Sequence, residues 1–156
     1  MGIDIDIRAH NRSAIEAHPM ANRIDMIVGS SIDAGVIARV KEMTGTHGRI
    51  MVILDSNHTH DHVLAELEAY APLTSPGSYC IVFDTLIEDM PDDMFEDRPW
   101  GKGDNPKTAV WEYLHRLEKE GRKATDGHDL VLEIDKAMEH KLLITVAPDG
   151  YLKRVS

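Results

Sequence analysis

Ile3, Ile5 and Ile7 alternate with Asp4 and Asp6 at the start of the chain, a period of two that predicts a strand over residues 1–8. Asn11 or Ser13 is placed to cap a short helix through Ala17, which Pro19 stops. Ile24-Asp25-Met26-Ile27-Val28 predicts a second strand, and Gly29-Ser30-Ser31 then turns the chain into a helix reaching about Met43. That helix carries Ile32, Val36, Ile37 and Val40 on its inner face. The central run, Ile50-Met51-Val52-Ile53-Leu54, is too short for a helix and predicts a buried parallel strand ending at Asp55. Asn57 or Thr59 starts the next helix, with Val63, Leu64, Leu67 and Tyr70 inward and Pro72 closing it. Pro76-Gly77 turns into a strand over residues 78–83.

This alternation from Ile3 to Asp84 predicts an α/β fold with a parallel sheet and right-handed crossovers. Residues 85–106 break the pattern, with Glu88, Asp89, Asp92, Asp93, Glu96 and Asp97 among few apolar groups; so long a loop is expected to be a lid or disordered. A helix is predicted from about Lys107 to Glu120, with Val110, Trp111, Leu114 and Leu117 inward and Gly121 ending it. The tail holds an apolar run over residues 130–135, a predicted strand over 142–146, a Pro148-Asp149-Gly150 turn and a last strand over 151–154. With no internal repeat and no linker, residues 1–156 read as one domain.

A formal charge of −10 argues against nucleic acid or an anionic membrane surface as the main partner, because like charges repel. No apolar run approaches a membrane span, and residues 1–20 lack the pattern of a signal peptide, so the expectation is a soluble, cytoplasmic protein. The single cysteine, Cys80, lies within an apolar run and reads as a core residue in a reducing compartment.

Candidate chemistry collects at the carboxyl ends of the predicted strands, where open α/β sheets bind ligands. Asp4 and Asp6 follow the first strand; such an acid can accept from both vicinal hydroxyls of a ribose, or simply solvate the strand end. Gly29, Ser30 and Ser31 offer a close backbone approach and hydroxyls near a helix start, or an ordinary cap. Asp55 and Asp84 end neighbouring strands and can share a magnesium ion, which takes one or two carboxylates and keeps its waters. His58 stands at the same rim and suits general-base work, with an unremarkable surface histidine as the alternative. The spacing of His58, His60 and His62 does not put all three on one helix face, so His60 and His62 are expected to be solvated helix-start residues.

Taken together, Gly2-Ile3-Asp4-Ile5-Asp6-Ile7-Arg8, Gly29-Ser30-Ser31, the segment from Leu54 to Val63, Asn105-Pro106-Lys107-Thr108-Ala109-Val110 and the segment from Ala147 to Arg154 resemble the cephalosporin hydroxylase and rhamnosyl O-methyltransferase family. The resemblance implies a Rossmann-like class I methyltransferase sheet with flanking helices, S-adenosylmethionine as cofactor and a magnesium ion near the methyl group. It implies a saccharide or small-molecule hydroxyl as acceptor, and leaves a homo-oligomer open. Asp4 falls where the family's acid holds the ribose, Ser30 beside the adenine, Asp55 and Asp84 where carboxylates hold the metal, and His58 near the reacting hydroxyl. The chain departs from the family in two places. Phe83 stands where a second acid often precedes the position of Asp84, so the metal site is expected to be either weakened or filled by another ligand such as Glu88. The first strand and its glycine-rich loop would precede residue 1, so the expectation is an N-terminally truncated methyltransferase domain. The competing expectation is an inactive methyltransferase-like fragment that serves as a binding or assembly module, and cofactor binding discriminates the two.

Overall fold

The computed structural model describes residues 1–156. Strands and helices alternate as the apolar periods require, and the class is mixed α/β, but the strands divide between two sheets. The first holds β1 (Gly2–Asp4) and β2 (Met26–Val28), parallel, with Ile3 opposite Ile27. The second holds β3 (Val52–Leu54), β4 (Tyr79–Val82), β5 (Leu132–Ile134) and β6 (Tyr151–Arg154), in the order β3, β4, β6, β5. β3 and β4 are parallel, whereas β6 runs antiparallel to both of its neighbours. β1 and β3 each have a strand partner on one side only.

The helices are α1 (Ala9–Glu16), α2 (Ala34–Thr44), α3 (His60–Tyr70), α4 (Pro106–Glu120) and α5 (Lys136–Lys141). α3 and α4 pack against each other beside the four-stranded sheet, and their buried Val63, Leu67, Val110 and Tyr113 join Cys80, Val82 and Leu152 in the core. Each such side chain contributes about 1.5–3 kcal/mol by leaving water. Cys80 is fully enclosed, and burial first, then the nearby Glu66 carboxylate, pushes its thiol up to about 12. It is the core residue its apolar setting predicts. Ile27 and Val40 bring the first sheet and α2 into the same cluster. No helix is long and apolar enough to cross a membrane.

Several predicted elements shorten or move. Pairing of β1 ends at Asp4, and Ile5 is exposed. Met51 and Ile53 are 56% and 52% exposed, so the central strand is an edge strand with an open face, not a fully buried one. Asn11 and Ser13 lie inside α1, which Arg8 precedes with no side-chain cap. Asp33, not the Gly29-Ser30-Ser31 turn, caps α2, accepting from the N–H groups of Gly35 and Val36. α4 turns Tyr113 inward and leaves Trp111 exposed under the Lys107 ammonium, 5.7 Å from the ring centroid. Residues 142–146 form no strand, and Leu143 and Ile144 project into solvent.

The acidic loop is tied down rather than disordered. Thr85 donates to the Pro148 carbonyl at 2.6 Å, and Lys107, itself buried, reaches Asp89 at 2.5 Å. Glu88 Oε2 accepts from the Gly103 N–H and from Asn105 Nδ2 within the loop, and Glu88 is not among the acids that converge with His58, which are Asp55 and Asp84.

Candidate active site

A cleft of about 1060 Å³ opens between the two sheets. Its walls are the unpartnered edges of β1 and β3, and its rim is made by Asp4 at the end of β1 and by the segments that follow β2 and β3, including Gly29, Ser30, Ser31 and Asp55. Residues far apart in sequence meet there because every one of these parallel strands delivers its carboxyl end to the same place. Asp6 is outside the lining; its N–H donates to Asp4 Oδ1 at 2.9 Å and fixes that carboxylate at the strand end. Gly29 has φ of +150°, and a Cβ there would meet Val36 at 2.8 Å, so the turn after β2 requires glycine.

At one end of the cleft Asp55, His58 and Asp84 converge, with one ligand atom from each lying within 4.8 Å of the others. Asp84 follows β4 in the left-handed conformation, φ of +55°, uncommon for a residue with a side chain. His58 Nε2 lies 2.7 Å from Asp84 Oδ2 and 3.8 Å from Asp55 Oδ1. The distance to Asp84 is short, yet the geometry is not that of a hydrogen bond, and Nε2 is buried with no hydrogen-bond partner. Asp55 and Asp84 bring two carboxylates to one place beside the His58 ring, and two such oxygens make a donor set that fits a shared small cation. Trp100, from the acidic loop, packs edge-on against His58 with centroids 4.9 Å apart and lines the cleft beside it. Arg98 in turn lies over Trp100 at 5.5 Å.

His60 and His62 are largely buried and take part in hydrogen bonds between elements instead of standing in solvent. His60 Nδ1 meets Thr108 Oγ1 at 2.8 Å and Nε2 meets Glu112 Oε2 at 3.0 Å, which docks the start of α3 on α4. Glu112 is held below the usual carboxylate range, by its hydrogen bond from Arg116 above all and by His60 further down. His62 Nε2 lies 3.1 Å from Ser31 Oγ and 3.6 Å from the buried Glu66 carboxylate, whose Oε1 accepts from Ser56 at 2.7 Å. Tyr70 donates to the Ser31 carbonyl at 2.5 Å; burial, and then the Glu66 charge, push its hydroxyl up to about 12 and keep it a donor.

The geometry meets an independent finding. The model of the family described as Rhamnosyl O-methyltransferase/CmcI matches residues 1–155. The chain belongs to that family. Rhamnosyl O-methyltransferases of Mycobacterium bovis (strain BCG / Pasteur) and of Mycobacterium tuberculosis (strain H37Rv) are each 30% identical to it over 129 residues, 82% of this chain and 46% of theirs. The chain thus spans about half the length of the curated relatives it matches. No solved structure matches it significantly.

Within this family member, the structure brings Asp4, Gly29, Ser30, Ser31 and Asp55 to one cleft and sets His58 and Asp84 beside Asp55. Trp100 and Glu66 are additions that the residue patterns did not single out. A tryptophan in an acidic loop carries no period or motif, whereas Glu66 did leave a signal: it is a charged residue between Val63 and Leu67 on the apolar side of α3.

Proposed function

We propose that this chain is part of an S-adenosylmethionine-dependent O-methyltransferase acting on a saccharide or other small-molecule hydroxyl, with the cleft between the two sheets as the cofactor site. The observation that carries the reading is the convergence of Asp55, His58 and Asp84 at the end of that cleft in a member of this family. Asp4 accepts from the ribose hydroxyls, and the Gly29-Ser30-Ser31 turn borders the adenine. The cofactor supplies the methyl group. Asp55 and Asp84 would hold a magnesium ion, which when bound would lower the pKa of an acceptor hydroxyl. His58 is the base: it takes the hydroxyl proton, and Asp84 at 2.7 Å offsets the positive charge the ring then gains. Trp100 holds the His58 ring and excludes water from one side of it.

The open edges of β1 and β3 support a sheet that continues between them. In this reading a further strand, with its glycine-rich loop, enters the cleft from outside residues 1–156, in agreement with the half-length match to the relatives.

Calorimetric titration of S-adenosylhomocysteine into the full-length protein, with and without Mg²⁺, tests the assignment. Binding is expected, and Asp55→Asn should abolish methyl transfer while the fold persists; a variant with near-normal turnover would remove Asp55 from the site. His58→Ala should lower turnover by about a hundredfold or more with cofactor affinity little changed. If affinity falls and turnover does not, His58 is a binding residue. Absence of any S-adenosylhomocysteine binding would favour the inactive binding module instead.

A further inference from the structure

Ser31 takes part in both of the hydrogen bonds that join residues 1–49 to residues 50–156: its hydroxyl pairs with His62 Nε2, and its carbonyl accepts from the Tyr70 hydroxyl. No ion pair crosses that boundary. The two sheets share no strand pairing either, so across the cleft they are otherwise held by apolar packing, which has no preferred direction. The polar tie is therefore what can fix how far apart the two rims stand.

Glu66 lies behind it. Its side chain is 2% exposed, on the inner side of α3, and a buried charge without full pairing is costly to keep. Oε1 accepts from Ser56, on the segment after β3, and faces His62, which reaches Ser31 on the segment after β2. Oε2 is buried with no hydrogen-bond partner. A carboxylate in this position is a poor core residue. What it does is connect the rim segment of one sheet to the rim segment of the other through a single rigid helix.

We propose that Glu66 is a positioning residue for the cofactor site: through Ser56 on one side and His62 and Ser31 on the other, it sets the separation of the two rim segments between which the ligand binds. The inference rests on the cofactor reading of the cleft for its ligand, but the tie itself has a readout of its own. Partners that orient binding groups in this way typically change affinity by about 10–100-fold when removed.

The test compares Glu66→Ala and Glu66→Gln in the full-length protein by amide hydrogen exchange and by titration of S-adenosylhomocysteine. The alanine variant should speed exchange across residues 26–33 while leaving β4 and β6 protected, and weaken S-adenosylhomocysteine on the order of tenfold. The glutamine variant keeps an acceptor for Ser56 and should recover most of both. Should the alanine variant fail to fold, His62→Ala cuts the same tie at a partly exposed residue and should give the same pattern. Exchange and affinity unchanged in all folded variants overturn the proposal, as does a uniform loss of protection over both sheets, which is plain destabilisation. If the parent protein binds no S-adenosylhomocysteine while exchange still changes locally, the tie stands and the cofactor reading fails.

Discussion

The two sheets are built from strands of similar length and similar residues, yet they differ in how much of each is core. In the two-stranded sheet Ile27 is the one buried residue. In the four-stranded sheet Leu54, Cys80, Val82, Leu132, Leu152 and Arg154 are all buried. The difference is not propensity, since isoleucine and valine favour strands in both. It is cover: α3 and α4 close one face of the larger sheet, whereas α1 buries nothing. A strand gains stability from its neighbours on the sheet and on its face, and β1 and β2 have few of either. The cleft lies between the well-supported sheet and the poorly supported one, where local ordering is most easily changed.

Glycines on the two sides give the sharpest contrast. At Gly150, beside the four-stranded sheet, a Cβ would lie 2.1 Å from the Val82 carbonyl oxygen, a backbone atom that cannot step aside. Gly150→Ala should cost about 4 kcal/mol or more and leave little folded protein. At Gly29 the obstacle is a side-chain methyl of Val36 at 2.8 Å, and the strain is mainly in φ. Gly29→Ala should cost about 1–3 kcal/mol and act on the cleft rim more than on the core. Melting temperatures of the two variants decide it; a Gly29 variant as damaged as the Gly150 variant would show that the small sheet is as integral as the large one.

Truncations within the cores follow. Leu152→Ala, fully buried at the centre of the larger sheet, should cost about 3 kcal/mol and lower the whole transition. Ile27→Ala removes the one buried strand residue of the smaller sheet and should cost about 2 kcal/mol, with exchange protection lost over residues 1–49 first. Equal loss across both halves would erase the distinction between them.

This contrast also explains what was legible in the residues. Helix periods carry to the structure because an α-helix satisfies its own backbone; the inward face of α3 falls where spacing puts it, with Val63, Leu64, Leu67 and Tyr70 buried, and that of α2 does so in part, with Val40 buried, Val36 and Ile37 half-buried, and Ile32, which precedes the helix, exposed. Strands do not carry in the same way, because alternation fixes a face but not a partner. Ile5 and Ile7 continue the alternation of β1 after its pairing with β2 has ended, and residues 142–146 are apolar without any strand beside them. In α4, Val110 falls inward as spacing predicts, but the face is rotated so that Tyr113 replaces Trp111. The rim acids were legible because strand ends announce them. His60 and His62 were not, since their partners Thr108, Glu112 and Ser31 lie 31 to 52 residues away.

The smallest expected effect is acid-linked and sits on the larger sheet. Arg154, fully buried in β6, donates to the Thr74 carbonyl at 2.7 Å and pairs with Asp126 Oδ2 at 2.8 Å. That guanidinium, chiefly through its hydrogen bond, holds the Asp126 carboxyl below the usual range. Asp135 is likewise held down, first by the hydrogen bond from Tyr79 of β4, whose own hydroxyl is pushed up by the same bond. A carboxyl whose folded pKa is depressed contributes stability that is fully present above its unfolded value, about 3.9, and is lost as pH falls through the folded one. Both acids are solvent-exposed enough that the contribution is modest and weakened by salt. The prediction is therefore a shallow fall in melting temperature below about pH 4, reduced in Asp126→Asn because the titrating group is gone. The arginine stays charged throughout, so the loss arises on the acid side alone. Both acids are tied to the larger sheet, through Arg154 of β6 and Tyr79 of β4, and acid should therefore loosen the β5 and β6 edge before the small sheet. Hydrogen exchange at pH 3.5 to 4 that opens residues 1–33 first, with β6 still protected, would reverse that order and with it the view that ionic ties belong to the larger sheet.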